Sequence, residues 1–122
     1  MTDADLIAFS ESLTRTADHL RAMPLKALAG SSVKGERSRA HSALAVAQMI
    51  ADFDSVLRDT DDAAPADDDV QWAGEAAVGD QLAAVGREFL NALSTRDLSA
   101  DEPAAAMCTA ATDALLTLRM EL

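Results

Sequence analysis

The side chains able to do chemistry in this chain are few: two histidines, His19 and His41, one cysteine, Cys108, and a large stock of carboxylates. Helical di-metal carboxylate sites use a Glu-x-x-His pair on one helix face. Here Thr16 precedes His19 and Ser38 precedes His41, so neither histidine has that partner. Two histidines fall short of a three-histidine zinc site. His41 projects away from the apolar seam of its helix and His19 flanks its own, so both read as surface residues. Cys108 is alone, which excludes an internal disulfide and a Cys-rich metal site. It falls on an apolar stripe and reads as a buried, inert thiol. The aspartates of residues 59–69 lack the spacing of a calcium loop, because Ala64 and Val70 stand where glycine and glutamate are required. Asp52 and Glu75 come within reach of each other in some helix arrangements, as the magnesium-holding carboxylates of helical nucleotide pyrophosphohydrolases do. No E-x-x-E or E-x-x-D pair supports that reading. The sequence assigns no catalytic, cofactor-binding or metal-binding residue.

Two stretches offer binding rather than catalysis. Gly30 to Arg39, GSSVKGERSR, spaces two glycines as a phosphate loop does, but Glu36 and Arg37 replace the required Lys and Ser/Thr. What remains is a helix start flanked by cations, with Ser32, Lys34 and Arg37 as candidate anion ligands. The second stretch is Trp72-Ala73-Gly74. It resembles the W-x-G motif of the small helical-hairpin proteins exported by type VII secretion. In that family the motif lies in the turn between two long helices, and a Tyr-x-x-x-Asp/Glu signal follows. The resemblance implies a secreted helical protein with a heterodimer partner. This chain contains no tyrosine, and its pattern gives two helix pairs rather than one.

Trp72 lies near the start of the segment around which the chain is organised, residues 70–94, which is expected to be a helix capped by Asp68 or Asp69. Val78, Leu82, Val85, Phe89 and Leu93 recur at helical spacing. Beside them runs a stripe of small residues, Ala76, Gly79, Ala83 and Gly86. A glycine inside a helix costs about 0.8–1 kcal/mol against alanine, so two in register imply a neighbour at close range. That neighbour is a helix of the same chain or a second chain. Trp72, Ala76, Gly79, Ala83 and Gly86 are therefore the candidate interface.

Three further amphipathic stretches support this one. The first presents Leu6, Phe9, Leu13, Thr16/Ala17, Leu20 and Met23 behind a cap at Thr2. Pro24 interrupts it, which predicts a kink or a short extra helix, with Gly30 as a left-handed terminus. The next helix begins at Ser31 or Ser32 and carries Ala43, Val46, Ile50, Phe53 and Leu57, flanked by Ala40, Ala47 and Ala51. The acidic linker, 59–69, follows. Ser99 and Glu102 form a capping box for the last helix, whose seam is Ala104, Cys108, Ala111, Leu115, Leu118 and Leu122. With no alternating strand pattern, the expected fold is all-α: one domain, a four-helix up-and-down bundle. In that topology Phe9, Phe53 and Trp72 gather at one end, and Arg21, Lys26, Lys34, Arg37, Arg39, Arg87 and Arg96 at the other.

The net charge is −11, and all of it arises after Arg58, where fourteen acidic residues face three basic ones. Such a surface opposes nucleic acid and anionic membranes. No apolar stretch long enough for a membrane span and no secretory signal is evident, so the expected setting is the cytoplasm. With only three Phe and one Trp, the core has little large apolar area, which favours a second copy. The functional expectation is a protein-interaction module, its own copies included. The alternatives are the W-x-G-type secreted protein and a bundle that binds or hydrolyses a small ligand.

Overall fold

A computed structural model describes residues 3–31, 38–59, 70–96 and 100–122. Ser32, Lys34, Arg37 and Ser99, and the acidic linker from residue 60 to 69, lie outside the described residues. The chain is all-α: α1 (Asp3–Ala22), α2 (Leu25–Ala29), α3 (Arg39–Asp59), α4 (Val78–Ser94) and α5 (Glu102–Glu121), with a 3₁₀ turn at Glu75–Ala77 before α4. Among the described residues no helix is long and apolar enough to cross a membrane.

Each boundary has a local cause. Pro24 ends α1 and starts α2, since its carbonyl accepts from the N–H of both Ala27 and Leu28 at 3.0 Å. Of the two expected forms, the short extra helix is the one adopted. Gly30 is extended at φ −76 rather than left-handed, and its carbonyl accepts the Arg39 N–H at 2.9 Å. Ser31 and Ser38 pair across an isolated antiparallel bridge. Consequently α3 starts at Arg39, and its cap is Ser38 rather than Ser31 or Ser32: Ser38 Oγ accepts the His41 N–H at 3.1 Å. The last helix is likewise capped not by Ser99 but two residues later by Asp101, whose Oδ1 accepts the Ala104 N–H at 3.1 Å.

The seams bury as their periodicity predicts in α1 (Phe9, Leu13, Ala17, Leu20), α4 (Val78, Leu82, Phe89, Leu93) and α5 (Ala104, Cys108, Ala111, Leu115, Leu118). In α3 the alanines take the core instead. Ala40, Ala43, Ala47 and Ala51 are buried with Ile50 and Leu57, whereas Val46 and Phe53 are only partly covered. Small side chains there let α3 approach closely.

Helix directions follow from the contacts. Phe9 meets Phe89, and Arg21 meets Asp80, so α1 and α4 run in opposite directions. Trp72, just before α4, stacks on His41 at the start of α3; Phe53 meets Phe89, and the Leu57 carbonyl meets Arg96. Hence α3 and α4 run the same way. The start of α1 meets α5 at Asp5–Cys108, and Ser12 meets Arg119, so those two are also parallel. The order is up, down, down, up, not the alternation expected. Parallel neighbours require a long crossover, as in other bundles with such connections, and eighteen residues separate α3 from α4. Around the core, α1 and α3 each pack on both α4 and α5.

This order also rearranges the aromatic residues. Phe89, not Trp72, joins the rings of Phe9 (5.4 Å, edge-on) and Phe53 (6.1 Å). Trp72 is at the other end of the molecule. Arg96 moves the opposite way and closes the end near the α4 C-terminus. It donates to the Leu57 carbonyl at 2.6 Å and to Asp101 Oδ2 at 3.0 Å. Beside it, the buried Asp54 pairs with Arg58 at 3.2 Å.

Candidate functional site

The small-residue face of α4 is occupied from within the chain. A methyl group at Gly86 would lie 2.4–3.0 Å from three atoms of the Leu13 side chain, and one at Gly79 would lie 3.1 Å from the Ala17 carbonyl. Gly79, Ala83 and Gly86 are buried against α1. The neighbour that the sequence left open is therefore α1 of the same chain. Arg21 completes this seam, donating to Asp80 Oδ1 at 2.7 Å and to Asp18 at 3.2 Å. The Asp80 bond, ahead of the Asp18 one, raises its already high pKa. Of the five candidate interface residues, Trp72 and Ala76 remain exposed.

Trp72 lies in a non-helical stretch that α3 and α4 hold from either side. The Val70 N–H donates to Gln48 Oε1 at 2.7 Å, and Gln81 Nε2 donates to the Gln71 carbonyl at 2.6 Å. Gln48 is itself oriented by Asp52, to which its Nε2 donates at 2.9 Å. Gly74, at φ +95, then turns the chain into the 3₁₀ segment. A side chain there would force an L-residue into the left-handed region, so glycine is required. The indole lies flat on the His41 imidazole, with ring centroids 4.1 Å apart and an interplanar angle of 10°. His41 Nδ1 is 2.7 Å from Ser38 Oγ, whose oxygen also accepts the His41 N–H. The cap of α3 thus fixes the imidazole, and the imidazole fixes the indole. Trp72 nevertheless keeps 42% of its surface exposed.

The other candidates fall apart in space or carry no partner. Glu75 sits near the start of α3, because its 3₁₀ turn packs on α2, whereas Asp52 is three turns further down that helix. The carboxylate pair that a magnesium site needs is not assembled. Among the described residues no group of three metal-ligating side chains exists. Cys108 is buried, and burial pushes its thiol pKa up, with the nearby Asp5 charge adding to the effect. A thiol so placed is a poor nucleophile. His19 is exposed, as expected. The W-x-G resemblance retains its loop position and its turn glycine, but the flanking helices α3 and α4 run parallel and do not form a hairpin.

The His41–Trp72 stack was not anticipated. Ser38-x-x-His41 has capping spacing, which is the one signal in the sequence that marks His41 as fixed. Nothing local links it to position 72. The comparisons give no further guide: no family model, curated protein or solved structure matches this chain.

Proposed function

We propose that this chain is a cytoplasmic protein-interaction module, a four-helix bundle that docks its partner on the surface around Trp72. The observation that carries the reading is the exposed indole held flat on His41. Tryptophans are enriched among the residues that dominate binding energy. A side chain already fixed in one rotamer also loses little entropy when a partner covers it. Ala73 and Ala76 flank Trp72 with small exposed side chains, which leaves the ring accessible. The scaffold beneath is rigid because Gln48 and Gln81 tie the loop to two helices. A second copy of the chain is the simplest partner, and it would meet this surface rather than the Gly79/Gly86 face.

The test has two arms. Sedimentation equilibrium across micromolar concentrations, for wild type and Trp72→Ala, reads self-association, which the variant should weaken by about tenfold or more. A photo-crosslinker at position 73 in the expressing cell reads other partners, and its adducts should disappear with Trp72→Ala. Adducts and sedimentation both unchanged by the substitution would remove Trp72 from the reading.

A further inference from the structure

The stack of Trp72 on His41 rests on one titratable ring, and its geometry accepts that ring in either charge state. Ser38 Oγ lies 2.7 Å from His41 Nδ1 and also accepts the His41 N–H at 3.1 Å. A hydroxyl has one proton to give and two lone pairs. When the imidazole is neutral with its proton on Nε2, the Ser38 hydroxyl donates to Nδ1. When the imidazole is charged, Nδ1–H donates to the Ser38 oxygen instead. The hydroxyl has only to rotate, and its oxygen keeps the bond from the His41 N–H throughout. The cap of α3 therefore survives proton uptake. The ring stays under the indole, with centroids 4.1 Å apart and planes 10° from parallel. His41 is exposed, so solvent supplies the proton.

No other group competes for the ring. The charged side chains on the elements around this end of α3 are Arg39 on α3 itself, Lys26 on α2, Glu75 in the 3₁₀ turn, Asp80 at the start of α4, and Arg119 and Glu121 at the end of α5. Arg39 is turned to the Ala27 carbonyl at 2.9 Å, Asp80 to Arg21 at 2.7 Å and Arg119 to Ser12 at 3.3 Å. None of the six pairs with His41. The Trp72 indole N–H has no hydrogen-bond partner among the described residues, and the imidazole is the only ring it meets there. The contacts that a ring proton changes are therefore the hydroxyl bond and the stack.

We infer that His41 is a proton-operated latch for Trp72: the charged imidazole grips the indole by a cation–π contact, and loss of the proton loosens it. Tryptophan offers a cation the strongest of the aromatic faces, and at an exposed site such a contact holds its partners together about two- to fivefold more tightly. That contribution is present while the ring is charged. It is lost as the pH rises through the range in which histidine ordinarily titrates, about pH 5–8. The latch concerns the loop itself and stands whether or not a partner docks there.

Trp72 is the only tryptophan of the chain, so its fluorescence reads this loop alone. A charged imidazole in contact quenches an indole, so emission should fall as the pH is lowered from about 8 to about 5.5. His19→Gln should behave as wild type. His41→Gln keeps the backbone cap but cannot titrate, and should lose the step. The sign comes from hydrogen exchange at the Val70 amide, which is bonded to Gln48 at 2.7 Å when the loop is docked. Its protection, corrected for the intrinsic rate, should rise about two- to fivefold on acidification in wild type and not in His41→Gln. The His41 ring protons should keep the ring-current displacement of a stacked indole at both ends of the titration. Far-UV circular dichroism at each pH separates these changes from unfolding. An emission step retained in His41→Gln, Val70 protection that stays level or falls on acidification, or a ring-current displacement lost in the acid form would each overturn the latch.

Discussion

Gly86→Ala tests the packing of α4 on α1 most directly. The added methyl would lie 2.4 and 2.5 Å from the two Cδ atoms of Leu13 and 3.0 Å from its Cγ. All three lie well inside the 3.5–4.0 Å or so of an ordinary carbon contact, so the whole isobutyl group has to leave its rotamer or α1 has to move. Overpacking of this kind costs about 1–3 kcal/mol, and three simultaneous overlaps place it in the upper half of that range. Alanine returns about 0.8–1 kcal/mol of helix propensity. The net loss is then about 1–2 kcal/mol, or roughly 4–8 °C in Tm for a chain of this length. Urea unfolding followed by far-UV circular dichroism measures it. A double-mutant cycle with Leu13→Ala isolates the contact: the two changes should be sub-additive by about 1 kcal/mol or more, because the smaller residue 13 makes room for the methyl. A Gly86→Ala variant as stable as wild type, or a cycle that is simply additive, would refute the α1–α4 packing. Sedimentation should be unaffected, since the seam lies inside one chain.

Three more expectations follow from the same geometry. Phe89→Ala removes the ring shared by Phe9 and Phe53 and should cost about 3–5 kcal/mol; the native emission of Trp72 should stay unchanged, because that ring lies at the other end. Arg96→Met cuts the bonds that join the ends of α3 and α4 to the cap of α5 and should cost about 1–3 kcal/mol in urea unfolding; a neutral result would make those bonds incidental. The Ala104 N–H, and after it Arg96, hold the Asp101 carboxyl below its ordinary pKa. Its stabilising contribution is therefore complete above the ordinary aspartate value of about 3.9 and is lost as the pH falls through the lower folded value. Asp101→Asn, which keeps a capping oxygen but does not titrate, should show a shallower fall of the urea midpoint on acidification; an identical slope would discount the group.

The sequence by itself determined that the chain is helical and most of the buried faces, but not where α4 starts: it begins at Val78, not beside Asp68 or Asp69. Spacing at three and four residues is a local property, and Phe9, Leu82, Phe89, Leu115 and Leu118 lie inside because the periodicity of each segment puts them on one side. Pro24 marked a break for an equally local reason: it has no N–H to donate. The tertiary structure decided everything that depends on which helix meets which. Alternating directions are the default when connections are short, and the eighteen-residue crossover before α4 removes that constraint, so α3 and α4 lie parallel. That one change sent Trp72 to His41 and left Phe89 with Phe9 and Phe53. It also brought Arg96 to Leu57 and gave Gly79 and Gly86 a neighbour in α1. Helical spacing says that a glycine needs a close neighbour. Only the packed chain says that the neighbour is Leu13.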